Sequence, residues 1–354
     1  MKTSNRSIVA TGHPLVSAAA VEILEKGGNA FDAAIAAGFM GAVAEPALTS
    51  LGGGGFLLAR TSKGDEVLFD FFSDTPGLGL PKENLEPHFF PITVHFPGSE
   101  QIFNIGMGSV AVPGNLKGFI HVHERLGRLG LREIVSPAAK RARKGIPFTS
   151  HQAYFMGLLK PIMTLTKEGK KLYAPDGNYV SEGTLYTNPD YADFLETLPH
   201  DQGKNFYQDD IAERIVNDMA VGDGLLTIKD LASYKVKERK PLECTYRDRR
   251  LITNPPPSFG GTLIALALRH LEKLPLSETS WGSFAHLFSH ASVMKEVDRR
   301  REGDQADSFA LSEHWRKTTS KTMRLFSKGT THVSIVDKEG NVASMTTSNG
   351  EGSG

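Results

Sequence analysis

Residues 30–44, AFDAAIAAGFMGAVA, constrain the fold of this chain most strongly. Apart from Asp32 the run is apolar on every side, so a helix over this range has no face suited to water. Asn29 is a suitable N-cap, Asp32 falls in the first turn, and Pro46 ends the helix. The run is too short to span a bilayer. It therefore predicts a helix buried between layers of other elements.

Strand patterns alternate with helix patterns along the rest of the chain. SLGGGGFLLAR and DEVLFDFF, residues 50–60 and 65–72, predict a β-hairpin of apolar strands. Residues 74–106 show no clear periodicity, and we interpret them as a long excursion. We find no repeat and no clean linker, which favours a layered α/β sandwich over separate modules. The other predicted helices are residues 14–24, 113–125, 136–144, 188–198, 209–219 and 262–274, and short strands are predicted at 108–114 and from 249.

Charge and composition exclude several classes of function. Forty basic residues balance forty acidic ones, so no global field attracts nucleic acid or an acidic membrane. The N-terminal segment lacks the form of a signal peptide, which predicts a cytoplasmic protein. Cys244 is the single cysteine, and an intramolecular disulfide framework is therefore excluded.

The histidine pairs and the glycine run do not indicate a metal or phosphate site. His286 and His290 are four residues apart, but no glutamate completes HExxH and no third ligand is evident. His121 and His123 fall on different faces of a helix. Gly52–Gly55 match no phosphate-binding motif, and indicate a structural loop or one that lines a site through its backbone N–H groups. We expect neither a metal nor a cofactor.

The segment SKGTTHVSIVDKEGNVASMTTSNG, residues 327–350, predicts a loop, a strand, a turn and a second strand. A threonine hydroxyl is a poor nucleophile unless a base lies beside it. Cleavage between Gly329 and Thr330 would free an α-amine, which titrates at about pH 7.7–8 and can serve as that base. The same residues also fit an ordinary strand start, because threonine favours strands.

Five segments together resemble the γ-glutamyltransferase family, also called γ-glutamyl transpeptidases or glutathione hydrolases. They occur in the family's order along the chain. The resemblance implies an N-terminal-nucleophile hydrolase with a four-layer αββα sandwich, within the α/β (α+β) class. The segments are residues 12–60, VAVPGNLKGF at 110–119, GDGLLTIKDLASYKVKERKPL at 222–242, NPPPSFGGTLIA at 254–265 and TTHVSIVDKEGNVASMTTSNG from residue 330.

The resemblance also implies an activity. A proenzyme would cleave itself between Gly329 and Thr330, giving a large-subunit region, 1–329, and the start of a small catalytic subunit, 330–354. Thr330 would then attack the γ-amide of a γ-glutamyl compound such as glutathione and pass the acyl group to water or to an amine. The expected partners are this amide substrate and the two subunits of one precursor, with no nucleic acid and no membrane.

Site residues are carried over from the family by position. Thr331 and Ser348 fall where family members place hydroxyls near the nucleophile, although Ser348 stands at a position usually held by threonine. Asn349, Gly350 and Glu351 fall where family members contact the α-amino group of the substrate.

The chain departs from the family pattern at Phe72. Family members hold the γ-glutamyl carboxylate with an arginine in a segment resembling Asp-Phe-Arg-Glu, and here FDFFSDTPG places Phe72 at that point. An aromatic ring cannot make the bidentate contact of an arginine with a carboxylate. A related acylase with a different acyl specificity is therefore the alternative enzyme.

The second departure is the length of the small-subunit segment. The family's small subunit is far longer than residues 330–354 and carries the paired glycines of the oxyanion hole. We accordingly expect a sandwich that is incomplete at the C-terminus, an open sheet edge beside the nucleophile, and a chain that alone is poorly active or inactive. A non-catalytic fragment is the alternative from a different class.

Overall fold

The structure is a computed structural model that describes residues 6–81, 86–302 and 329–350 of the 354-residue chain. Its strands are β1 (Ile8–Thr11), β2 (Gly54–Arg60), β3 (Glu66–Phe71), β4 (Phe90–Phe96), β5 (Ser99–Ile105), β6 (Ile146–Pro147), β7 (Leu185–Tyr186), β8 (Lys237–Arg239), β9 (Leu242–Tyr246), β10 (Arg249–Thr253), β11 (Gly329–Val336) and β12 (Val342–Gly350). Its α-helices are α1 (Pro14–Glu25), α2 (Ala30–Ala44), α3 (Asn115–Leu126), α4 (Leu131–Lys144), α5 (Ser150–Leu158), α6 (Lys160–Met163), α7 (Lys167–Tyr173), α8 (Pro189–Asp201), α9 (Lys204–Tyr207), α10 (Asp210–Val221), α11 (Ile228–Ser233), α12 (Phe259–Glu272) and α13 (Phe284–Glu302).

The α2 helix forms the centre of the core, as its sequence predicts. Every residue of α2 except Ala42 is buried. The Asn29 side chain accepts the N–H groups of Phe31 and Asp32, and the Asp32 carboxylate accepts the N–H of Asn29 in return. This capping box satisfies the first donors of the helix, so that α2 can begin inside the core.

One six-stranded sheet carries the C-terminal hairpin, in the order β1-β11-β12-β2-β3-β8. β11, β12 and β2 are antiparallel neighbours, and α2 packs against β11 and β12. Side chains alternate between two faces. Thr331, Val333 and Ile335 lie buried on the helix face, whereas Thr330 and its neighbours on the opposite face are more exposed. We call the second face the nucleophile face.

The described residues divide into two compact units. The first holds most of the six-stranded sheet and most of the helices. The described part of the second contains the β9–β10 hairpin with α12 and α13, and Arg250 pairs there with Glu66 and Glu243. The first unit comprises Met1–Asp65, Phe69–Glu238 and Ser327–Gly354, and the second Glu66–Leu68 and Arg239–Phe326. No linker in the sequence predicted this division into two units.

The hairpin predicted over residues 50–72 is confirmed as β2 and β3, and the C-terminal hairpin as β11 and β12. Residues 74–106, interpreted as a long excursion, contain a hairpin that the sequence did not predict, because β4 and β5 pair along their whole length as a separate two-stranded sheet. Only a small cluster, with Val94, Phe103 and Ile105 at its centre, is buried there. So few core positions leave a weak periodic signal in a segment rich in proline and glycine.

The strand predicted at residues 108–114 is also wrong. A 3-10 helix covers Met107–Ser109, and only Val112 makes an isolated bridge, to Asp74. The predicted helices are all present, with boundaries that differ by a few residues; α4, for example, begins at Leu131 rather than 136. No helix among the described residues is long and apolar enough to cross a membrane.

Candidate active site

Thr330 is the second residue of β11, and its side chain is exposed on the nucleophile face. Its Oγ1 lies 3.0 Å from Oγ of Ser348, its register partner on β12. The Ser348 oxygen also accepts the N–H of Gly350 at 3.0 Å. Either hydroxyl can donate in the contact between Thr330 and Ser348. Two of the predicted catalytic hydroxyls are thus brought together at the start of the strand.

The peptide bond before Thr330 lies at an irregularity of the ladder. Gly329 is paired with Gly350 but Thr330 with Ser348, so Asn349 is an extra residue opposite this bond. Such a bulge interrupts regular pairing and changes the direction of the strand. The Gly329–Thr330 bond therefore lies outside the regular hydrogen-bonded register that follows it.

Thr331 points to the opposite face from Thr330 and is buried. Its hydroxyl donates to Oε2 of Glu45 at 3.0 Å. Burial raises the pKa of Glu45, and the Thr331 hydrogen bond and the charge of His151 partly oppose this effect. Thr331 is therefore near the nucleophile in sequence, but its hydroxyl is used by a buried carboxylate on the helix face.

Asn349 is held by the turn that follows α2. Its N–H donates to the Leu48 carbonyl at 3.2 Å, its Nδ2 donates to the Pro46 carbonyl at 3.2 Å, and its Oδ1 accepts from Ser50 Oγ at 2.7 Å. In this structure the Asn349 side chain anchors the end of β12. Glu351 lies outside the described residues.

Phe72 follows directly after β3 and is 54% exposed. Its ring stacks on Phe56, with centroids 5.4 Å apart and planes inclined by 15°. Phe56 pairs with Thr346, two residues before Ser348, and so shares the nucleophile face. The Phe72 carbonyl accepts the Tyr234 hydroxyl at 2.8 Å. An aromatic pair that includes Phe72 thus lies on the same face as Thr330.

The glycine run allows β2 to approach the end of β12. A Cβ on Gly53 would lie 2.2 Å from the Ser348 carbonyl oxygen, and a Cβ on Gly55 would lie 2.4 Å from that of Thr346. The Gly53 carbonyl accepts the N–H groups of Gly114 and Asn115. The run therefore forms a closely packed backbone beside the predicted site.

Glu45 and Asn115 are two site residues that the sequence reasoning missed. Glu45 is the only acid between Asp32 and Asp65, and a buried carboxylate needs a hydrogen-bonding partner. Its isolation in an apolar segment was the available signal. Asn115 is fully buried and donates from Nδ2 to the Ser50 carbonyl at 2.7 Å. Nothing in the spacing of Asn115 indicated that contact.

His332, which completes the Gly-Thr-Thr-His tetrad, hydrogen-bonds along the nucleophile face. Its Nδ1 lies 2.7 Å from Thr346 Oγ1 and its Nε2 lies 3.0 Å from Ser334 Oγ. Burial lowers its pKa, which favours the neutral ring near pH 7. The rings of His286 and His290 contact each other at 4.5 Å, and the described part of the chain contains no group of three His, Cys, Asp or Glu that could hold a metal.

The antiparallel sheet, the helix α2 packed on one face and Thr330 at the start of an inner strand fit the N-terminal-nucleophile hydrolase fold, which the solved structures described below share. Within this class, the chain belongs to the γ-glutamyltranspeptidase family, because the sequence profile of that family matches residues 16–354.

Two curated relatives illustrate the range of the family. The chain is 30% identical over 365 residues to an acylase ACY 1 proenzyme of Pseudomonas sp. strain V22, covering 97% of this chain and 65% of that protein. It is 28% identical over 369 residues to the glutathione hydrolase proenzyme of Escherichia coli K12, covering 97% of this chain and 62% of that protein. The chain thus spans under two thirds of the length of these relatives.

Solved structures show the same fold. The Helicobacter pylori γ-glutamyltranspeptidase superposes with a TM-score of 0.75 at 30% identity, covering 92% of this chain and 93% of that chain. A cephalosporin acylase from Bacillus halodurans superposes with a TM-score of 0.77 at 24% identity, covering 98% and 67%. The second likeness concerns the fold alone. The predicted α+β fold class is confirmed.

Proposed function

We propose that this protein is a self-processing amidohydrolase and acyltransferase whose nucleophile is Thr330. The observation that carries the proposal is the 3.0 Å contact between the Thr330 and Ser348 hydroxyls, directly after the bulged Gly329–Thr330 bond. Such a contact can orient the Thr330 hydroxyl for attack and stabilise its oxygen while the proton is being removed. The proposed cut separates residues 1–329 from the segment that begins at Thr330.

Self-processing requires no group beyond the chain and water. Oγ1 of Thr330 attacks the Gly329 carbonyl carbon, the C–O bond forms as the C–N bond breaks, and the hydroxyl proton passes to the departing α-amine. Water then hydrolyses the resulting ester, which releases the Gly329 carboxylate and restores the Thr330 hydroxyl. The product carries a free α-amine beside its own hydroxyl, which is the base that a threonine nucleophile needs.

The same hydroxyl then acts on a substrate amide. The α-amine of Thr330 takes the hydroxyl proton as Oγ1 attacks the amide carbon, and gives it to the amine that leaves. Water or an acceptor amine attacks the acyl ester and restores the enzyme. Asn349, Gly350 and Glu351 remain the predicted contacts for the α-amino group of the substrate.

We propose γ-glutamyl amides as the acyl donors, which is the chemistry that the name glutathione hydrolase proenzyme gives to the Escherichia coli relative. The test is the release of aniline from a γ-glutamyl anilide by purified protein. Because the chain alone is expected to be poorly active, we expect slow release by the wild type and none by Thr330→Ala. Equal release by both proteins would contradict the proposal. The predicted cytoplasmic location stays a prediction.

An acylase for uncharged acyl groups is the second candidate, and the stacked Phe56–Phe72 pair favours it. Aromatic faces bind apolar groups but cannot satisfy a buried carboxylate. One of the curated relatives is itself named as an acylase, the acylase ACY 1 proenzyme. Comparing a γ-glutamyl anilide with an arylacetyl anilide separates the two candidates.

Phe72→Arg tests the role of this position directly. If the pocket otherwise fits γ-glutamyl groups, the new guanidinium should raise kcat/KM for the γ-glutamyl anilide about 10- to 100-fold, because a charge-assisted hydrogen bond contributes about 1.5–3 kcal/mol. Phe72→Leu is the matched control, since it removes the ring without adding a charge. An arylacetyl preference that both variants leave unchanged would show that Phe72 does not select the acyl group.

A further inference from the structure

We propose that Glu45, Thr49 and Ser50, which we call the rear clamp, position the nucleophile Thr330 by holding the ends of β11 and β12 from the helix face. The inference rests on the proposed function of Thr330 and assigns positioning residues to it. Within the described residues, no hydrogen bond joins any of the three to Thr330. Each hydrogen-bonds instead to a strand residue next to Thr330 or Ser348.

The rear clamp contacts both strands. The Glu45 carboxylate accepts from Thr331 at 3.0 Å, Thr49 Oγ1 donates to Thr347 Oγ1 at 2.9 Å, and Ser50 Oγ donates to Asn349 Oδ1 at 2.7 Å. The first two contacts are fully buried. Buried polar groups are held strongly because losing a partner leaves them unsatisfied.

These contacts fix the register that creates the site. Thr331 and Thr347 are register partners, and the adjacent pair on the opposite face is Thr330 with Ser348. Because side chains alternate, a slip of one residue would turn either hydroxyl of the front pair away from the other. The bulge at Asn349 makes this end of the ladder susceptible to such a slip. Holding the rear pair therefore sets the 3.0 Å contact in front.

The rear clamp is attached to a rigid element. Glu45 is the C-cap of the buried α2 helix, and its N–H donates to the Gly41 carbonyl. The Glu45 carbonyl accepts the N–H groups of Leu48 and Thr49 at 2.8 and 3.1 Å. The turn is thus closed on itself, and precise sites require this kind of support from packed neighbours.

Gly12 provides a second way to disturb the rear clamp. A Cβ on Gly12 would lie 2.9 Å from Glu45 Oε1 and 3.2 Å from Thr331 Oγ1. Gly12→Ala should therefore displace the carboxylate while leaving its charge in place. This variant separates the position of Glu45 from its ionisation.

The experiment compares the rate of self-cleavage, followed by intact mass, in wild type, Glu45→Ala, Glu45→Gln and Gly12→Ala. We expect Glu45→Ala and Gly12→Ala to slow cleavage about 10- to 100-fold, as misplacement of reacting groups does. Glu45→Gln should stay within a few-fold of wild type, because its amide oxygen can accept the same Thr331 hydrogen bond. Rescue by glutamine is not expected if the loss reflects general destabilisation.

Asp230→Ala is the matched control, because Asp230 is a buried capping-box carboxylate at the start of another helix, α11. It should lower thermal stability and leave the cleavage rate unchanged at temperatures where the protein is folded. If Glu45→Ala and Gly12→Ala both cleave themselves at the wild-type rate, the rear clamp does not position Thr330. The proposed function would remain intact.

Uncut wild-type protein would count against the proposed function alone. In that case, hydrogen exchange tests the rear clamp. Amides of Thr331 and Thr347 should then exchange at least several-fold faster in Glu45→Ala than in wild type, because the strand ends have lost their rear contact. Unchanged exchange at both positions would overturn the inference.

Discussion

Ser348 is the residue whose chemistry bears most directly on Thr330. Its Oγ lies 3.0 Å from Thr330 Oγ1, and it accepts the N–H of Gly350 at the same distance. Serine also lacks the β-methyl group that restricts threonine, so its rotamer depends more on these two contacts. Ser348 therefore contacts the nucleophile through a side chain whose rotamer is set by these two hydrogen bonds.

Ser348→Ala should slow self-cleavage about 10- to 100-fold, because the Thr330 hydroxyl loses the contact that orients it and misplacement of a reacting group has effects of that order. Ser348→Thr should keep a rate within a few-fold of wild type, since it keeps the hydroxyl. The rates are measured from the appearance of the fragment that begins at Thr330. A Ser348→Ala variant that processes as fast as wild type would show that Thr330 does not need this contact.

Glu45 predicts a pH dependence of stability. Burial raises the pKa of Glu45 in the folded state, so the folded protein binds this proton more tightly than the unfolded chain does. Its contribution to stability is therefore complete below the ordinary pKa of a glutamate and is lost as pH rises through the raised value. The melting temperature of Glu45→Gln minus that of wild type should therefore be more positive at pH 7 than at pH 4. An identical pH dependence in both proteins would contradict this assignment.

The β11–β12 hairpin is tied to the core at both ends. At the turn, the buried Asp337 carboxylate accepts the N–H of Ala30, the first residue of α2, at 3.0 Å. It also accepts the N–H groups of Glu339 and Asn341 and the Asn341 side-chain amide. The opposite end of the hairpin is held by the rear clamp. The strand that begins at Thr330 is thus positioned by both ends of one helix.

Asp337→Ala should lower the free energy of unfolding by about 2–4 kcal/mol, because several buried donors lose their acceptor. Glu339→Gln is the control on the same turn. Glu339 pairs with Arg128 at 2.6 Å, but both side chains are about 40% exposed, so its loss should cost less than about 1 kcal/mol. Urea denaturation of both variants measures the difference. Equal losses would show that the Asp337 contacts do not hold the hairpin.

The sequence predicted the elements with strong periodicity and missed contacts between distant residues. α2 and the C-terminal hairpin follow from caps, apolar runs and a turn signal within short windows. The β4–β5 hairpin was missed because few of its side chains enter a core. The contact of Thr331 with Glu45 joins residues 286 positions apart, and no local pattern encodes such a pairing.

At the scale of the whole molecule, the site exists because the sheet joins strands from both ends of the described chain. β1 and β2 come from its N-terminal part and flank β11 and β12 from its C-terminal part. The row that contains Thr330 continues through Ser348 to Gly54, so one hydroxyl pair and the glycine run meet only in the folded sheet. Membership of the γ-glutamyltranspeptidase family accounts for this arrangement of strands. Self-cleavage at the Gly329–Thr330 bond is the function that we propose for it.

Intact mass spectrometry of purified protein, beside Thr330→Ala, tests that claim most directly. We expect a fragment that begins at Thr330 and a complementary fragment that ends at Gly329, with both absent from Thr330→Ala. Uncut wild-type protein, a cut at another bond, or the same cut in Thr330→Ala would contradict it.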